Sequence, residues 1–345
     1  MAANGGLTVM LYEERFLHNV WALFTDAATG AKTHVAIPID STSGWGGAAY
    51  ALTPGQLWVF SGGGPMYLRR YALSGSPLPT AATRIEVRTF GDGDSRPGDM
   101  IATAGGGIVA VWHQQGETGS QGHRVAYRDP VGSWTTRSMQ FIPTMASKDV
   151  LVQHPADGSV WLFSNPDAFG AIGAARFAEV AGAGLSLSWT DATFIDPADG
   201  LNNADPENPN LVAAPDPAGG RIALVYQSAE RKTFSYSPFV TGSYPVIARI
   251  GADGSKSFVK LRVWVERVSP LGVIVEPGGT WLAHRPIDAA DLSFDDVNVA
   301  RYRDGAWTSV RLGTLWQPYE PIHYGTSKTV VAARLSDGKI HTYAF

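Results

Sequence analysis

Apolar and polar positions alternate in short runs along this chain, and residues 99–141 show the plan at its clearest. A first run, Asp99 to Ala104, ends at the glycines Gly105 to Gly107. Ile108-Val-Ala-Val-Trp112 follows, almost wholly apolar and rich in β-formers. A polar stretch from His113 to Gly122 leads into His123-Arg-Val-Ala-Tyr-Arg128. Asp129-Pro-Val-Gly132 has turn chemistry, and Ser133 to Phe141 closes the unit. Strand-length runs separated by Gly, Pro and Asp clusters predict a four-stranded antiparallel meander.

The meander recurs. A turn glycine before the second run stands at Gly6 (or Gly5), Gly55, Gly107, Gly158, Gly220 and Gly279, and Lys328 holds the equivalent place in the last copy. The spacing is about fifty residues, a period that signals a repeat architecture. A buried-looking run follows each marker, among them Val9–Tyr12, Leu57–Phe60, Val109–Trp112, Val160–Phe163, Ile222–Tyr226, Trp281–Ala283 and Val330–Ala333. Seven copies of a four-stranded unit predict an all-β fold, a seven-bladed β-propeller of four-stranded antiparallel blades. A β-sandwich is the alternative that periodic spacing disfavours.

The first copy reads as runs at 7–13, 19–25 and 32–39 and so lacks its first strand. The last copy, with Pro321–Tyr324, Thr329–Arg334 and Lys339–Phe345, lacks its fourth. The two chain ends are therefore expected to close the ring, since an open ring leaves unpaired strand edges. No interior linker is visible, which makes residues 1–345 a single propeller domain. The fifth copy carries the longest internal loop, Gln227 to Tyr244.

Composition narrows the function classes. Hydrophobic residues at 44% and charged residues at 17% describe an ordered globular chain. The net charge of −4 and the lack of a basic patch argue against nucleic acid as a partner. No apolar run is long enough for a membrane-spanning helix. The absence of cysteine excludes disulfides, thiolate zinc sites and thiol catalysis. The N-terminus has no signal-peptide core. An extracellular or periplasmic setting is expected, with a cytoplasmic one as the alternative, and the chain is expected to be a monomer. No phosphate-binding loop, nucleophile elbow, zincin motif or dinucleotide fingerprint is present, so no organic cofactor is expected.

In an up-and-down meander the second-to-third-strand loops and the blade-to-blade loops share one face. Here those loops are long and unequal, which favours one dedicated site. The segment from His113 to Arg124 brings His113, Gln114, His123 and Arg124; imidazoles serve as acids or bases near neutral pH. The Gln227–Tyr244 loop supplies Arg231 and Tyr236. His284 and Arg285, directly after a strand, and the aromatic residues Trp45, Trp316 and Tyr319 are candidate substrate contacts, aromatic rings being suited to the apolar faces of sugars. Each group also has an ordinary reading as a solvated turn or packed ring. The inter-blade segment 196–208 is the most oxygen-rich, and Asp196, Asp199, Asn202, Asn203 and Asp205 are candidate ligands for a structural Ca²⁺, which takes 6–8 oxygens. Asn, Asp and Pro are also ordinary turn formers.

The seven irregular copies resemble the sialidase-like group of propellers. Asp129…Gly132-Ser-Trp134 and Asp304-Gly-Ala-Trp307 keep an Asp-Gly-x-Trp core of that group's Asp-box, without the complete motif. The resemblance implies a carbohydrate-active protein, since the group includes glycoside hydrolases and polysaccharide lyases. In a lyase, His113, His123 or Tyr236 would take the proton beside a uronate carboxylate while Arg124 or Arg231 neutralises it. A hydrolase would need two carboxylates at a defined separation. A lectin or adhesin without catalysis, a propeller enzyme acting on a small molecule, and a protein-interaction scaffold are the alternatives.

Overall fold

The structure, a computed structural model, describes residues 2–4, 6–13, 19–26, 28–39, 48–62, 65–90, 95–115, 121–139, 146–166, 171–180, 184–195, 211–216, 218–234, 237–260, 267–276, 279–287, 296–303, 306–317, 330–335 and 340–344. Every element among them is a β-strand, and every strand pair is antiparallel. The chain divides into two compact units, one of Met1–Pro143 with Ile322–Lys328, the other of Thr144–Pro321 with Thr329–Phe345.

The first unit holds three meanders. The first is β1 (Ala2–Asn4), β2 (Leu7–Glu13), β3 (Val20–Asp26) and β4 (Lys32–Ile37). The second is β5 (Ala48–Thr53), β6 (Gln56–Gly62), β7 (Met66–Ser74) and β8 (Ala81–Phe90). The third is β9 (Ser95–Ala102), β10 (Ile108–Gln115), β11 (Gln121–Arg128) and β12 (Trp134–Met139). The second unit holds β13 (Ala146–Gln153), β14 (Val160–Pro166), β15 (Ile172–Val180) and β16 (Gly184–Ile195), then β17 (Leu211–Asp216), β18 (Arg221–Phe234), β19 (Ser237–Ile250) and β20 (Lys256–Lys260). Its third sheet runs β21 (Arg267–Glu276), β22 (Gly279–Ile287), β23 (Asp296–Arg303), β24 (Ala306–Gln317), β25 (Val330–Leu335) and β26 (Ile340–Ala344) in sequence order.

Three expectations change. The first meander has its own first strand, because Ala2–Asn4 pairs with Leu7–Val9. Ala-Ala-Asn is too short to stand out as a strand-length run in the sequence. The segment Gln227–Tyr244 is no loop: β18 and β19 continue as a hairpin to the pair Phe234↔Ser237. The last two repeats share one sheet, since the end of β24 pairs with β25 through Leu315↔Leu335 and Gln317↔Arg334. Pro321–Tyr324, expected to be a strand, lies outside the described residues.

The glycine ruler corresponds to a left-handed residue between the first and second strands. Gly6, Gly55, Gly106, Gly158 and Gly220 have φ of +87, +68, +85, +72 and +59. In the third meander the left-handed residue is Gly106, one before the sequence marker Gly107. Gly107 is required for another reason: a Cβ there would lie 2.6 Å from the Tyr127 ring.

Within each unit, counted from these residues, even positions of a second strand face the preceding sheet and odd positions the following one. Leu57 and Val59 pack with Val9, Leu11 and Phe24 of the first sheet. Trp58 and Phe60 pack with Ile108, Ala110 and Trp112 of the third. Trp161 and Phe163 likewise meet Ile222, Leu224 and Tyr226 in the second unit. Second strands therefore read as unbroken apolar runs, because both faces are covered. Each fully buried Leu or Phe contributes about 1.5–3 kcal/mol. Fourth strands such as β8 and β12 are mostly exposed, which is why their sequences alternate weakly.

One turn is knit by a carboxylate. Asp157, between β13 and β14, accepts hydrogen bonds from the Ser159 amide (3.0 Å), the Ser159 hydroxyl (2.6 Å) and Arg176 Nη2 (2.6 Å). The Ser159 hydroxyl in turn accepts the Trp161 indole N–H at 2.9 Å. Burial pushes the Asp157 carboxyl up, but the bonds from Ser159 and Arg176 and the nearby His154 outweigh it and leave the carboxyl below its usual value of 3.8.

Candidate functional site

The third meander places His113 near the end of its second strand and His123 near the start of its third. Antiparallel pairing sets them directly opposite each other, and their ring centres are 4.0 Å apart at 63°. Directly opposed residues share a face of the sheet. His123 is 1% exposed and His113 is half-buried. The row continues to Arg96 on β9 and Met139 on β12. Beneath it on the same face is the row Asp99–Val111–Val125–Arg137, whose two valines are buried. The imidazoles thus stand where an apolar floor gives way to polar groups.

A β-bulge makes this row. On β9 the register passes from Val111↔Asp99 to Trp112↔Pro97, so Gly98 is the extra residue. Without it, His113 would face Pro97. With it, His113 faces Arg96, and the exposed guanidinium joins the histidine face. Proline fits this place because a bulge relaxes the demand for a ladder N–H.

Arg124 is not part of the row. It pairs with Trp112 and Ser138 and so lies on the opposite face, the one packed on the second meander. Adjacent strand residues alternate faces, so His123 and Arg124 cannot share one. The expectation of two histidines and a cation on one face holds for the pair, with Arg96 as the cation.

Gln114 is a strand residue opposite Ser95 and Gly122. Arg231 sits in β18 at a bulge, opposite Val240. His284 and Arg285 lie within β22 rather than after a strand, opposite Pro270 and Ser269. Trp316 falls in β24, not in a connecting loop. Trp45, Tyr236, Tyr319 and the proposed calcium ligands Asp196, Asp199, Asn202, Asn203 and Asp205 lie outside the described residues.

Sequence reasoning passed over two buried polar pairs. In the first unit Arg69, 1% exposed, donates through Nη1 to Ser61 Oγ at 3.0 Å, and its Cζ lies 4.9 Å from the Tyr67 ring centre. In the second unit the buried Ser164 hydroxyl donates to the buried Asp149 Oδ1 at 2.6 Å. Ser61 and Ser164 occupy the same repeat position, six after the left-handed glycine. The parallel segments Leu57-Trp-Val-Phe-Ser61 and Val160-Trp-Leu-Phe-Ser164 were the signal.

No protein-family model matches the chain, and no curated protein matches it. Among solved structures it is similar to the polysaccharide lyase Uly1, at 12% identity and a TM-score of 0.55 over 99% of this chain and 88% of that one. It is also similar to YjhT, at 10% identity and 0.52 over 90% and 95%. A mutant of AofleA from Arthrobotrys oligospora gives 10% identity and 0.50 over 99% and 86%. At such identities the likeness concerns the fold alone, an all-β, propeller-like arrangement.

Proposed function

We propose that this chain is a carbohydrate-active enzyme, a polysaccharide lyase acting on a uronate-containing glycan, with its site at the Arg96–His113–His123 row. The observation that carries this reading is the cross-strand histidine pair with a cation in its row. The fold-level likeness to a polysaccharide lyase supports it. His113, the more open ring, takes the proton on the carbon bearing the uronate carboxylate. Arg96 neutralises that carboxylate and so stabilises the carbanion-like transition state. The electron pair forms the ring double bond as the glycosidic C–O bond breaks, and the leaving oxygen takes a proton from an acid. His123, almost fully buried, holds the His113 ring in place. Tyr236 and Arg231 are proposed as the second source of acid and cation. Trp45, Gln114, His284, Arg285, Trp316 and Tyr319 are proposed as glycan contacts.

The proposal includes a seven-bladed propeller domain over residues 1–345 with its ends closing the ring, acting as a monomer outside the cytoplasm. The seven sequence repeats support the blade count. The test is a panel of acidic and neutral polysaccharides, read for unsaturated-uronate absorbance and for reducing ends. A lyase raises both on a uronate polymer, and His113→Ala lowers turnover about 10²–10⁴-fold. Reducing ends without absorbance mean a hydrolase, and saturable glycan binding without either signal means a lectin.

A further inference from the structure

His113, His123 and Met139 stand in register on one face, on three successive strands. That row presents two imidazoles and a thioether. A ring nitrogen of His113 lies within 4.8 Å of one of His123. Two imidazoles on one tetrahedral ion, at metal–nitrogen distances of about 2.0–2.1 Å, need nitrogens about 3.4 Å apart. Small side-chain rotations cover the difference. The 63° angle between the rings suits two ligands converging on one ion. His113 is half-buried, which leaves a path for entry, and Val111 and Val125 keep water from the floor.

We propose that His113 and His123 form a bis-imidazole site for a divalent transition-metal ion, with copper preferred over zinc. Imidazole suits copper, zinc and nickel, the stability order puts Cu²⁺ first, and the neighbouring Met139 thioether is a soft donor. Calcium and magnesium take sets of oxygen ligands, and imidazole and thioether groups are poor donors to them. Arg96, the charged group of the row, opposes the ion; it is exposed, so solvent screens much of that repulsion. This inference goes beyond the lyase reading and needs no glycan. A bound ion takes the nitrogen lone pair that proton abstraction needs, so occupancy of the pair inhibits turnover.

The test is calorimetric titration of untagged, chelator-stripped protein with Cu²⁺, Zn²⁺ and Ca²⁺. One Zn²⁺ and one Cu²⁺ are expected to bind per chain, Cu²⁺ more tightly, with no Ca²⁺ at this pair. His113→Gln and His123→Gln each weaken Zn²⁺ binding at least tenfold, and Arg96→Ala strengthens it. Met139→Leu narrows the preference for Cu²⁺ while sparing Zn²⁺. Melting curves confirm that each variant folds; if His123→Gln does not, the more open His113→Gln carries the test. Absence of saturable Zn²⁺ and Cu²⁺ binding, or affinities that neither histidine substitution changes, would overturn the proposal. A protein without lyase activity that still binds Zn²⁺ through both histidines retracts the enzyme reading and leaves the metal site in place.

Discussion

Asp157→Ala removes the acceptor that knits the β13–β14 turn. Three donors lose their partner: the Ser159 amide, the Ser159 hydroxyl and Arg176 Nη2. A neutral hydrogen bond contributes about 0.5–1.5 kcal/mol net and a charged one about 1.5–3 kcal/mol. The Asp157 side chain is 28% exposed, so water replaces part of what is lost, which brings the expected cost to about 2 kcal/mol. For a cooperative unit of about 150–250 residues that lowers the melting temperature by about 4–8 °C. Asp157→Asn keeps an oxygen for Ser159 and loses the charge facing Arg176 and His154, so it should show about half the effect. The carboxyl is held below its usual value when folded, so its contribution is complete above pH 3.8 and is lost as pH falls through the lower folded-state value. Urea unfolding followed by tryptophan fluorescence at pH 7, and in steps below pH 4, reads both effects. Unchanged midpoints at pH 7, or a gap between wild type and Asp157→Ala that widens in acid, would refute the reasoning.

Gly107→Ala drives a Cβ into the Tyr127 ring and should cost about 1–3 kcal/mol; a Gly107→Ala/Tyr127→Leu double variant should recover part of that stability, as measured by denaturant midpoint. Ending the chain at Gly338 removes β26, which pairs with β25, and should leave protein without a cooperative transition in calorimetry; a wild-type melting profile would count against it. If Asp196, Asp199, Asn202, Asn203 and Asp205 bind Ca²⁺, millimolar Ca²⁺ should raise the melting temperature above that in chelator, and equal values would leave them as turn formers.

Much of the strand plan was legible because second strands are buried on both faces, so Leu57–Phe60 and Val160–Phe163 stand out without any periodicity analysis. Direct pairing of His113 with His123 follows from strand length around one hairpin. Arg124 misled because proximity in sequence was read as proximity on a face, and a period of two separates it from His123. Arg96 was hidden by a one-residue bulge, an event that shifts register without leaving a periodic signal. The β18–β19 hairpin looked like a loop because Gln-Ser-Ala-Glu-Arg-Lys has no apolar alternation. The buried Ser61–Arg69 and Asp149–Ser164 pairs were invisible because hydropathy assigns charge to the surface. Only comparison between repeats would have singled them out.

The central claim is that the bulge on β9, and not chain proximity, selects the cation that works with the histidine pair. Turnover of Arg96→Ala and Arg124→Ala, measured side by side with His113→Ala on the polysaccharide the panel identifies, tests it most directly. The account predicts that Arg96→Ala and His113→Ala each lose about 10²-fold or more in kcat, whereas Arg124→Ala, if folded, stays within a few-fold of wild type. Full turnover in Arg96→Ala with loss in Arg124→Ala would contradict it.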